Sequence, residues 1–585
     1  MIKIGAVFGE NIKTEKLSKR THSYGKNYAI RSFLLPSILF LAIGILIIRL
    51  FFLQISFGAY YRHLSDNNRI KTVVIHAPRG IIFDRNGSPL VFNVPGFREV
   101  PDGTSSTNEK TKLLTQEQAL TFLAQGRKDL EIDSLRSYPY KDAFAHVLGY
   151  IGQISKDELQ SNEFSNYRGG DLIGKIGIEK SYESKLKGID GKQLVEVDSL
   201  GNAIRTLGQT DPIPGENITL TLNLNLQKAV SDAMKDVKKG AAIVSMPNGE
   251  ILALVSKPSF DPNLFTFGKD YKIASESGIY SSISQILTDS ENQPLINRTI
   301  SEVYPPGSTF KLITAAAGLE DKIIDENFEI TDTGIVWLGN FSFSNWYFTQ
   351  YGKTDGQVNV VKGLQRSNDI FFYKLAEKVG VDKLSEMAMK FGLGQKLGID
   401  ISPEEAGTVP TPLWKEKVIG EGWYLGDTYH YGIGQGYLLT TPLQVNYWTQ
   451  IIANGGTGYR PHLLVNPKSE ILNPKFLSEK TISLIKQGMI ESCSAGGVAW
   501  PFFELKVPAF AKASAGKESE KLKVACKTGT AQHGTGDTWP HAWITLFAPA
   551  DNPQIIVTVL SESSGEGSNV AAPIAKKILE EWFSR

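Results

Sequence analysis

Ser308 and Lys311 stand three residues apart in Pro305-Pro306-Gly307-Ser308-Thr309-Phe310-Lys311. The prolines and the glycine end the preceding segment, and STFKLITAAAGLE continues as helix formers with an apolar stripe. The spacing predicts Ser308 at a helix start and Lys311 one turn on, on the same face. A neutral lysine amine placed there takes the proton of the hydroxyl and makes it a nucleophile. The free N–H groups of a helix start suit a developing oxyanion. A neutral Lys311 needs burial or a neighbouring cation, and Lys527 could supply that cation.

Two further polar clusters fit the same chemistry. Ser367-Asn368-Asp369 joins the segment VNVVKGLQR to a helical pattern, IFFYKLAEKVG. Ser367 could relay a proton between Lys311 and a leaving amine, and Asp369 could orient a substrate amide or hold Lys311. Lys527-Thr528-Gly529-Thr530 falls inside a predicted strand, where ammonium and hydroxyl groups could hold a carboxylate. Gly529 would let a substrate backbone approach closely. Singly, each cluster also fits ordinary structure: a helix-start serine with a surface lysine, a helix cap, or a solvated edge strand. Together they form S-x-x-K, S-x-D and K-T-G-T in that order. Ser367 follows Ser308 by 59 residues and Lys527 follows Ser367 by 160.

These clusters must be positioned by a chain of 585 residues that is 41% apolar and 21% charged, which excludes wholesale disorder. Lys plus Arg number 62 and Asp plus Glu 61, so no protein-wide polycation for nucleic acid exists. The mean hydropathy of -0.15 excludes a polytopic membrane protein. One apolar run stands out, FLLPSILFLAIGILIIRLFFLQI from Phe33 to Ile55, with Arg49 its sole charge. As a helix it rises roughly 34 Å, enough for a hydrocarbon core. Arg49, near the distal end, can snorkel to the headgroups. Residues 1–31 carry seven Lys or Arg against two Glu. The positive-inside rule keeps this tail cytoplasmic and puts the rest of the chain outside. No small-x-small cleavage site follows the run, so residues 32–55 read as a retained signal anchor in the lipid bilayer.

Residues 58–219 form one unit and 220–585 another. In the first, Asn86-Gly87 between apolar runs suggests a hairpin, residues 101–118 a loop leading into a helix, and residues 142–162 and 171–187 short helices. In the second, ITLTLNLNLQKAVSDAMKDV reads as strand then amphipathic helix, and AAIVSMPNGEILALVSKP as a hairpin. LKVACKTGTAQ, HAWITLFAPA and QIIVTVLSE read as three strands, and Val570 to Phe583 as a closing helix. Strands at both ends with helices between them predict an α+β domain whose sheet is completed by distant segments. Residues 508–522, rich in Ala, Lys, Ser and Glu, read as a flexible insertion.

The three clusters in this order are the pattern of serine β-lactamases and penicillin-binding proteins. The chain as a whole resembles the class B penicillin-binding proteins of the elongation type, penicillin-binding protein 2. The resemblance is carried by APRGIIFDRNG at Ala77, YPYKDAFAHVLGYIGQIS at Tyr138, LIGKIGIEKSYESKLKGIDG at Leu172, KPSFDPNLF at Lys257, YPPGSTFK, YGIGQGYLLTTPLQ at Tyr431 and CKTGTAQ. It implies a pedestal (dimerisation) domain and a transpeptidase domain with an antiparallel sheet flanked by helices. It also implies a serine-type D-Ala-D-Ala transpeptidase that cross-links peptidoglycan stem peptides, with a carboxypeptidase side activity.

In that reading Ser308, Lys311, Ser367, Asp369 and Lys527 are catalytic. Asn368, Thr528, Gly529 and Thr530 bind substrate, and the backbone N–H groups of Ser308 and Thr530 form the oxyanion hole. β-Lactams acylate Ser308. No nucleotide or organic cofactor is implied. Glycan polymerisation falls to a polytopic membrane glycosyltransferase of the rod-shape machinery, bound through anchor and pedestal. The alternatives are a septal transpeptidase, a β-lactamase, and a catalytically weak penicillin-binding scaffold.

The chain departs from the family pattern at two places. The second cluster ends in Asp369 where Asn is usual, which changes the charge of the site. The region 95–135 is short, so the partner-facing head is reduced. Some relatives bind a metal ahead of the second cluster through Asp, His and Cys. Residues 330–360 offer Asp332 and Asp355 without His or Cys, which predicts no metal there. Cys493 and Cys526 read as free buried thiols, Cys526 on the strand face opposite Lys527.

Overall fold

The computed structural model describes residues 27–99, 112–125, 130–198, 203–267, 280–465, 469–507, 520–534 and 538–584. Most of the expected insertion, 508–519, and most of the expected loop, 101–111, lie outside them. The chain divides into two compact units, residues 1–73 with 193–209, and residues 74–192 with 210–585.

The first unit contains helix α1 (Asn27–Phe51), then α2 (Gly58–Arg69). The stretch Phe33–Ser56 is long and apolar enough to cross a membrane, and none of it is buried, as a lipid-facing helix requires. Strand β1 (Ile70–Ile75) leads out of α2 into a three-stranded sheet.

The second unit begins with β2 (Ile82–Phe83) and β3 (Pro89–Glu99), paired antiparallel across the Asn86-Gly87 turn, where Gly87 has φ 82°. The buried Asp84 carboxylate ties this turn by accepting from Asn86 N (2.9 Å) and Ser88 N (2.7 Å). Strand β4 (Lys112–Thr115) precedes helix α3 (Gln116–Ala124), which opens on a capping box of Thr115 and Gln118. Both β4 and β5 (Leu130–Ser137) pair with β3. Residues 142–162 and 171–187, expected as short helices, also contain a two-stranded ladder, Ile151–Gln153 with Leu172–Gly174. Ile151, Ile173 and Gly174 of this ladder are buried, and their backbone groups are satisfied by pairing across it.

Four charged side chains meet inside this region. Arg79 donates to Glu183 (2.7 Å) and Glu179 (2.9 Å), and Arg136 donates to Glu179 (2.6 Å). Glu179 lies on the short helix α4 (Gly177–Ser181), and both it and Arg136 are fully buried. Burial raises the Glu179 carboxyl, but Arg136 and Arg79 outweigh it and hold the group below the ordinary glutamate range. The APRG stretch therefore serves structure: its arginine closes an ion network. Its Gly80 passes so close to the backbone that a Cβ would lie 1.9 Å from the Glu216 carbonyl oxygen.

Strands β6 (Gly191–Val197) and β7 (Ala203–Thr210) complete the sheet begun by β1. Helix α5 (Leu224–Ala233), capped by Asn223, is followed by β8 (Gly240–Ser245) and β9 (Ile251–Lys257). At the far end of the chain come β10 (Ala525–Ala531), β11 (His541–Ala548) and β12 (Ile555–Ser561). These five strands form one antiparallel sheet in the order β9-β8-β12-β11-β10, so distant segments complete it as predicted.

Both sheet faces are buried, and the strand period of two sorts the side chains. Ala241, Ile243, Trp543, Phe547 and Leu560 join one apolar cluster, while Ala242, Val244, Ile544, Leu546 and Val559 join the other. The second is covered by α5 and by the closing helix, α11 in chain order (Ala571–Phe583). The first also contains Ile82, Leu90 and Tyr138, so its core runs continuously through the expected boundary at 219/220.

Helix α6 (Lys311–Glu320) lies within the first cluster and is buried on all sides. Its small residues admit close neighbours: a Cβ on Gly318 would lie 2.6 Å from Leu375. Helices α7 (Val360–Gln365), α8 (Asp369–Val379), α9 (Pro442–Ala453) and α10 (Glu479–Ser492) complete this layer.

Cys493 caps the C-terminal end of α10 and forms a disulfide with Cys526 of β10, the Cα atoms 5.9 Å apart. This corrects the expectation of two free thiols. Strand alternation does point Cys526 away from Lys527, into the second apolar cluster, and Cys493, just past the end of α10, enters that same cluster within bonding reach.

Candidate active site

Ser308 sits on a 3-10 turn, Gly307–Phe310, that runs directly into α6. The turn is cradled by backbone. Gly307 has φ 55° and donates its N–H to the Gly434 carbonyl (2.8 Å). A Cβ on Gly434 would lie 2.1 Å from the Gly307 oxygen. Sequence reading placed no function on Gly434. Its signal was the glycine-rich YGIGQG run, which only the contact with Gly307 makes intelligible.

Lys311, the first residue of α6, is fully buried. Its amine donates to the Asp369 carboxylate (2.7 Å) and to the Ser367 carbonyl (2.7 Å), with Ser367 Oγ at 3.4 Å. Lys527, also fully buried, donates to Ser367 Oγ (2.8 Å) and to the Thr528 carbonyl (2.9 Å). The Ser367 hydroxyl thus stands between two amines. It is held there by a strained backbone, since Ser367 is a non-glycine residue at φ 53°.

Burial pushes both amines below the ordinary lysine range. Lys527 falls well below it, first through burial and then through the charge of Lys311; Asp369 opposes the drop at both. The cation expected to depress Lys311 therefore acts in the other direction, and burial is what lowers Lys311. One carboxylate and two buried amines favour a single protonated lysine over two.

Asn368 does not face this cluster. Its Oδ1 accepts from Phe371 N (2.9 Å) as the N-cap of α8, and its amide donates to Asp332 (2.8 Å) and Asp355 (3.0 Å). A fully buried side chain committed in this way has no group left for substrate. Asp332 is the hub: its carboxylate also accepts from Gly334 N (2.8 Å), Asn345 (2.9 Å) and Asp355 N (2.9 Å). Asn345 in turn accepts from Asp369 N (3.2 Å), and Asp355 pairs with Arg366 (2.9 Å). Asp332 and Asp355 therefore hold the second cluster by hydrogen bonds. Among the described residues no group of three His, Cys, Asp or Glu is placed to hold a metal.

Gly529 also differs from expectation. A Cβ there would lie 3.0 Å from the Pro306 carbonyl oxygen and 3.0 Å from Thr309 Cγ2. The Ser308 turn fills the space that a side chain would need there. Thr530 is exposed and its hydroxyl accepts weakly from Gly567 N (3.4 Å), while Thr528 is nearly buried.

The model of the penicillin binding protein transpeptidase domain matches residues 240–580, and that of the penicillin-binding protein dimerisation domain matches 110–220. The chain is 32% identical to the peptidoglycan D,D-transpeptidase MrdA of Haemophilus influenzae, covering 93% of this chain and 90% of that one. It is 33% identical to MrdA of Escherichia coli K12, over 92% and 91%.

This chain is a class B penicillin-binding protein of the elongation type. Its fold matches penicillin-binding protein 2 of Helicobacter pylori, solved in complex with MreC, at a TM-score of 0.72 and 28% identity, over 88% of this chain and 98% of that one. It matches penicillin-binding protein 2 of Pseudomonas aeruginosa at 0.66 and 33%, over 88% and 96%. As a member of this family it is a serine-type D,D-transpeptidase that cross-links peptidoglycan during elongation and is a target of β-lactams. It is a single-pass membrane protein with the bulk of the chain outside the cytoplasm.

The Asp369 charge yields a signed prediction. Asp369 raises both lysines, so Asp369→Asn lets them lose their protons at lower pH. The acid limb of the penicillin acylation profile is expected to move to lower pH. A limb that stays in place or moves upward refutes the placement of Asp369 as the counter-ion of Lys311.

Proposed function

We propose that Ser308 is the residue acylated in this transpeptidase, that Lys311 is its base and that Ser367 carries the proton onward. The observation behind this reading is the hydrogen-bonded cluster of Lys311, Ser367, Asp369 and Lys527 beside the Ser308 turn, assembled from three distant segments. Lys527 and Thr530 take the terminal carboxylate of a stem peptide ending in D-Ala-D-Ala, with Thr528 behind them.

The arriving carboxylate favours the cation on Lys527. A proton then passes from Lys311 through the Ser367 hydroxyl to Lys527, along contacts of 3.4 and 2.8 Å. This leaves Lys311 neutral and able to act as base. Ser308 Oγ attacks the penultimate carbonyl carbon as its proton moves to Lys311, and the N–H groups of Ser308 and Thr530 hold the oxyanion. The C–N bond to the terminal D-Ala breaks, and the proton reaches the departing amine through Ser367. An acceptor amine from a second stem then attacks the ester, releases Ser308 and closes the cross-link. Water in its place gives carboxypeptidase action.

Residues 58–219 act as the pedestal and 220–585 as the catalytic domain. The H. pylori relative solved with MreC supports work within the elongation machinery. A match to a peptidoglycan synthase complex that coordinates polymerisation and crosslinking, at TM-score 0.68 and 27% identity over 94% of this chain and 98% of that one, supports a membrane glycosyltransferase as partner. Peptide mapping of the full-length chain in detergent after labelled penicillin tests the nucleophile. The label is expected as an ester on Ser308, and a label on any other residue overturns the assignment.

A further inference from the structure

The strand that carries Lys527 is the edge of its sheet. Among the described residues β10 pairs with β11 on one side only, since the order ends there. An edge strand is held by half the ladder hydrogen bonds of a central one. Yet the 2.8 Å contact from Lys527 to Ser367 requires it to keep a fixed distance from a separate segment.

Helix α10 spans that gap. On one side it packs against α7, which ends two residues before Ser367. A Cβ on Gly488 of α10 would lie 2.6 Å from Leu364 Cβ. Just beyond α10, the Gly496 carbonyl accepts from Arg366, the residue preceding Ser367, at 3.2 Å. On the other side, Cys493 at the end of α10 is bonded to Cys526, the residue preceding Lys527. The same short segment, 493–496, is therefore attached to the neighbour of Ser367 and to the neighbour of Lys527.

We propose that the Cys493–Cys526 disulfide is a positioning element of the active site, fixing the Lys527–Ser367 contact, and that full acylation activity requires its oxidation. This rests on the reading of Lys527 and Ser367 as active-site groups. Formation is thiol–disulfide exchange with a disulfide donor outside the cytoplasm. Two protein S–H bonds and the donor S–S bond are lost, and one protein S–S bond and two donor S–H bonds form. The two electrons pass to the donor sulfurs. Cys526 is fully buried and Cys493 nearly so, which closes the bond to small reductants once the fold is complete.

The test uses the full-length chain in detergent. Alkylation under denaturing conditions followed by mass spectrometry counts free thiols, and labelled penicillin gives the second-order acylation constant across pH. Wild-type chain exported to an oxidising compartment is expected to show no alkylated cysteine. Cys493→Ala/Cys526→Ala is expected to remain folded and to label Ser308, with an acylation constant about 10- to 100-fold lower and a displaced acid limb. A purely structural staple would lower thermal stability and leave the pH profile in place. Wild-type chain refolded with its thiols reduced is expected to behave like the double variant, and the same chain refolded in the presence of oxidised glutathione is expected to regain the wild-type constant and pH profile, a check independent of whether the double variant folds. A disulfide-free chain with wild-type acylation constant and pH profile overturns the proposal, as does a fully active chain with two alkylated cysteines. Absence of label on Ser308 in the wild type would instead refute the underlying functional reading.

Discussion

Lys311→Met is expected to lower the penicillin acylation constant by about 10²- to 10⁴-fold, the range for loss of a positioned acid–base group. The measurement is stopped-flow or gel-based labelling of the full-length chain against time. Methionine matches the length and burial of the lysine stem, so the core around α6 loses little packing. What disappears is the amine, and with it three contacts: to Asp369, to the Ser367 carbonyl and to the Ser367 hydroxyl. Residual acylation should come from the oxyanion donors and from bound-state orientation alone. It should also lose the acid limb caused by Lys311 titration. A Lys311→Met chain that acylates within a few-fold of wild type would move the base elsewhere, with Lys527 the next candidate through its contact to Ser367.

The arrangement explains how a lysine held against a carboxylate can still act as a base. In the mechanism proposed above the resting proton is placed on Lys311, where Asp369 is 2.7 Å away. Lys527 is the amine driven further down. A substrate carboxylate at Lys527 reverses that preference, and the hydroxyl between them offers the route. The proposed mechanism thus couples activation to occupancy of the carboxylate site.

Much of this is legible in the amino-acid sequence itself. The strand–turn–strand patterns at 240–257 and 525–561 and the closing helix follow from period and turn chemistry. The three polar clusters were visible as spacing. What spacing does not carry is which side chain of a cluster turns inward. Asn368 is the N-cap of α8, and that geometry sends its side chain toward Asp332 and leaves Asp369 for Lys311. Gly529 reads as a substrate approach until Pro306 and Thr309, over 200 residues earlier in sequence, fill the space above it. The disulfide was missed for the same reason. A separation of 33 residues says nothing about a 5.9 Å approach set by the packing of α10. Arg79, Arg136, Glu179 and Glu183 were invisible because charged residues read as solvated unless their partners are known.

That last group carries the second large effect. Glu179→Ala is expected to destabilise the chain by about 3–5 kcal/mol, the usual result of breaking a buried ion network from one side. Glu179 neutralises two guanidinium groups at once, Arg136 at 2.6 Å and Arg79 at 2.9 Å. Arg79 keeps Glu183, but Arg136, fully buried, is left with the Asn93 side-chain oxygen Oδ1 at 3.1 Å and no carboxylate. Glu179→Gln should cost less, because it keeps an acceptor for Arg136 while removing the charge. The pH dependence has a definite sign. The folded Glu179 carboxyl lies below its ordinary value, so its contribution is complete above the ordinary glutamate range and is lost as pH falls through the depressed value. Thermal unfolding of the full-length chain in detergent should show the wild-type advantage over Glu179→Ala shrinking under acid. A variant as stable as wild type at neutral pH would show that the cluster is replaceable by packing, as some buried ion networks are. The network joins β5, α4 and the segment before β2, so its loss should first loosen the region next to the active-site core. Hydrogen exchange in 77–93 and 130–186 is expected to rise before exchange in β8–β12.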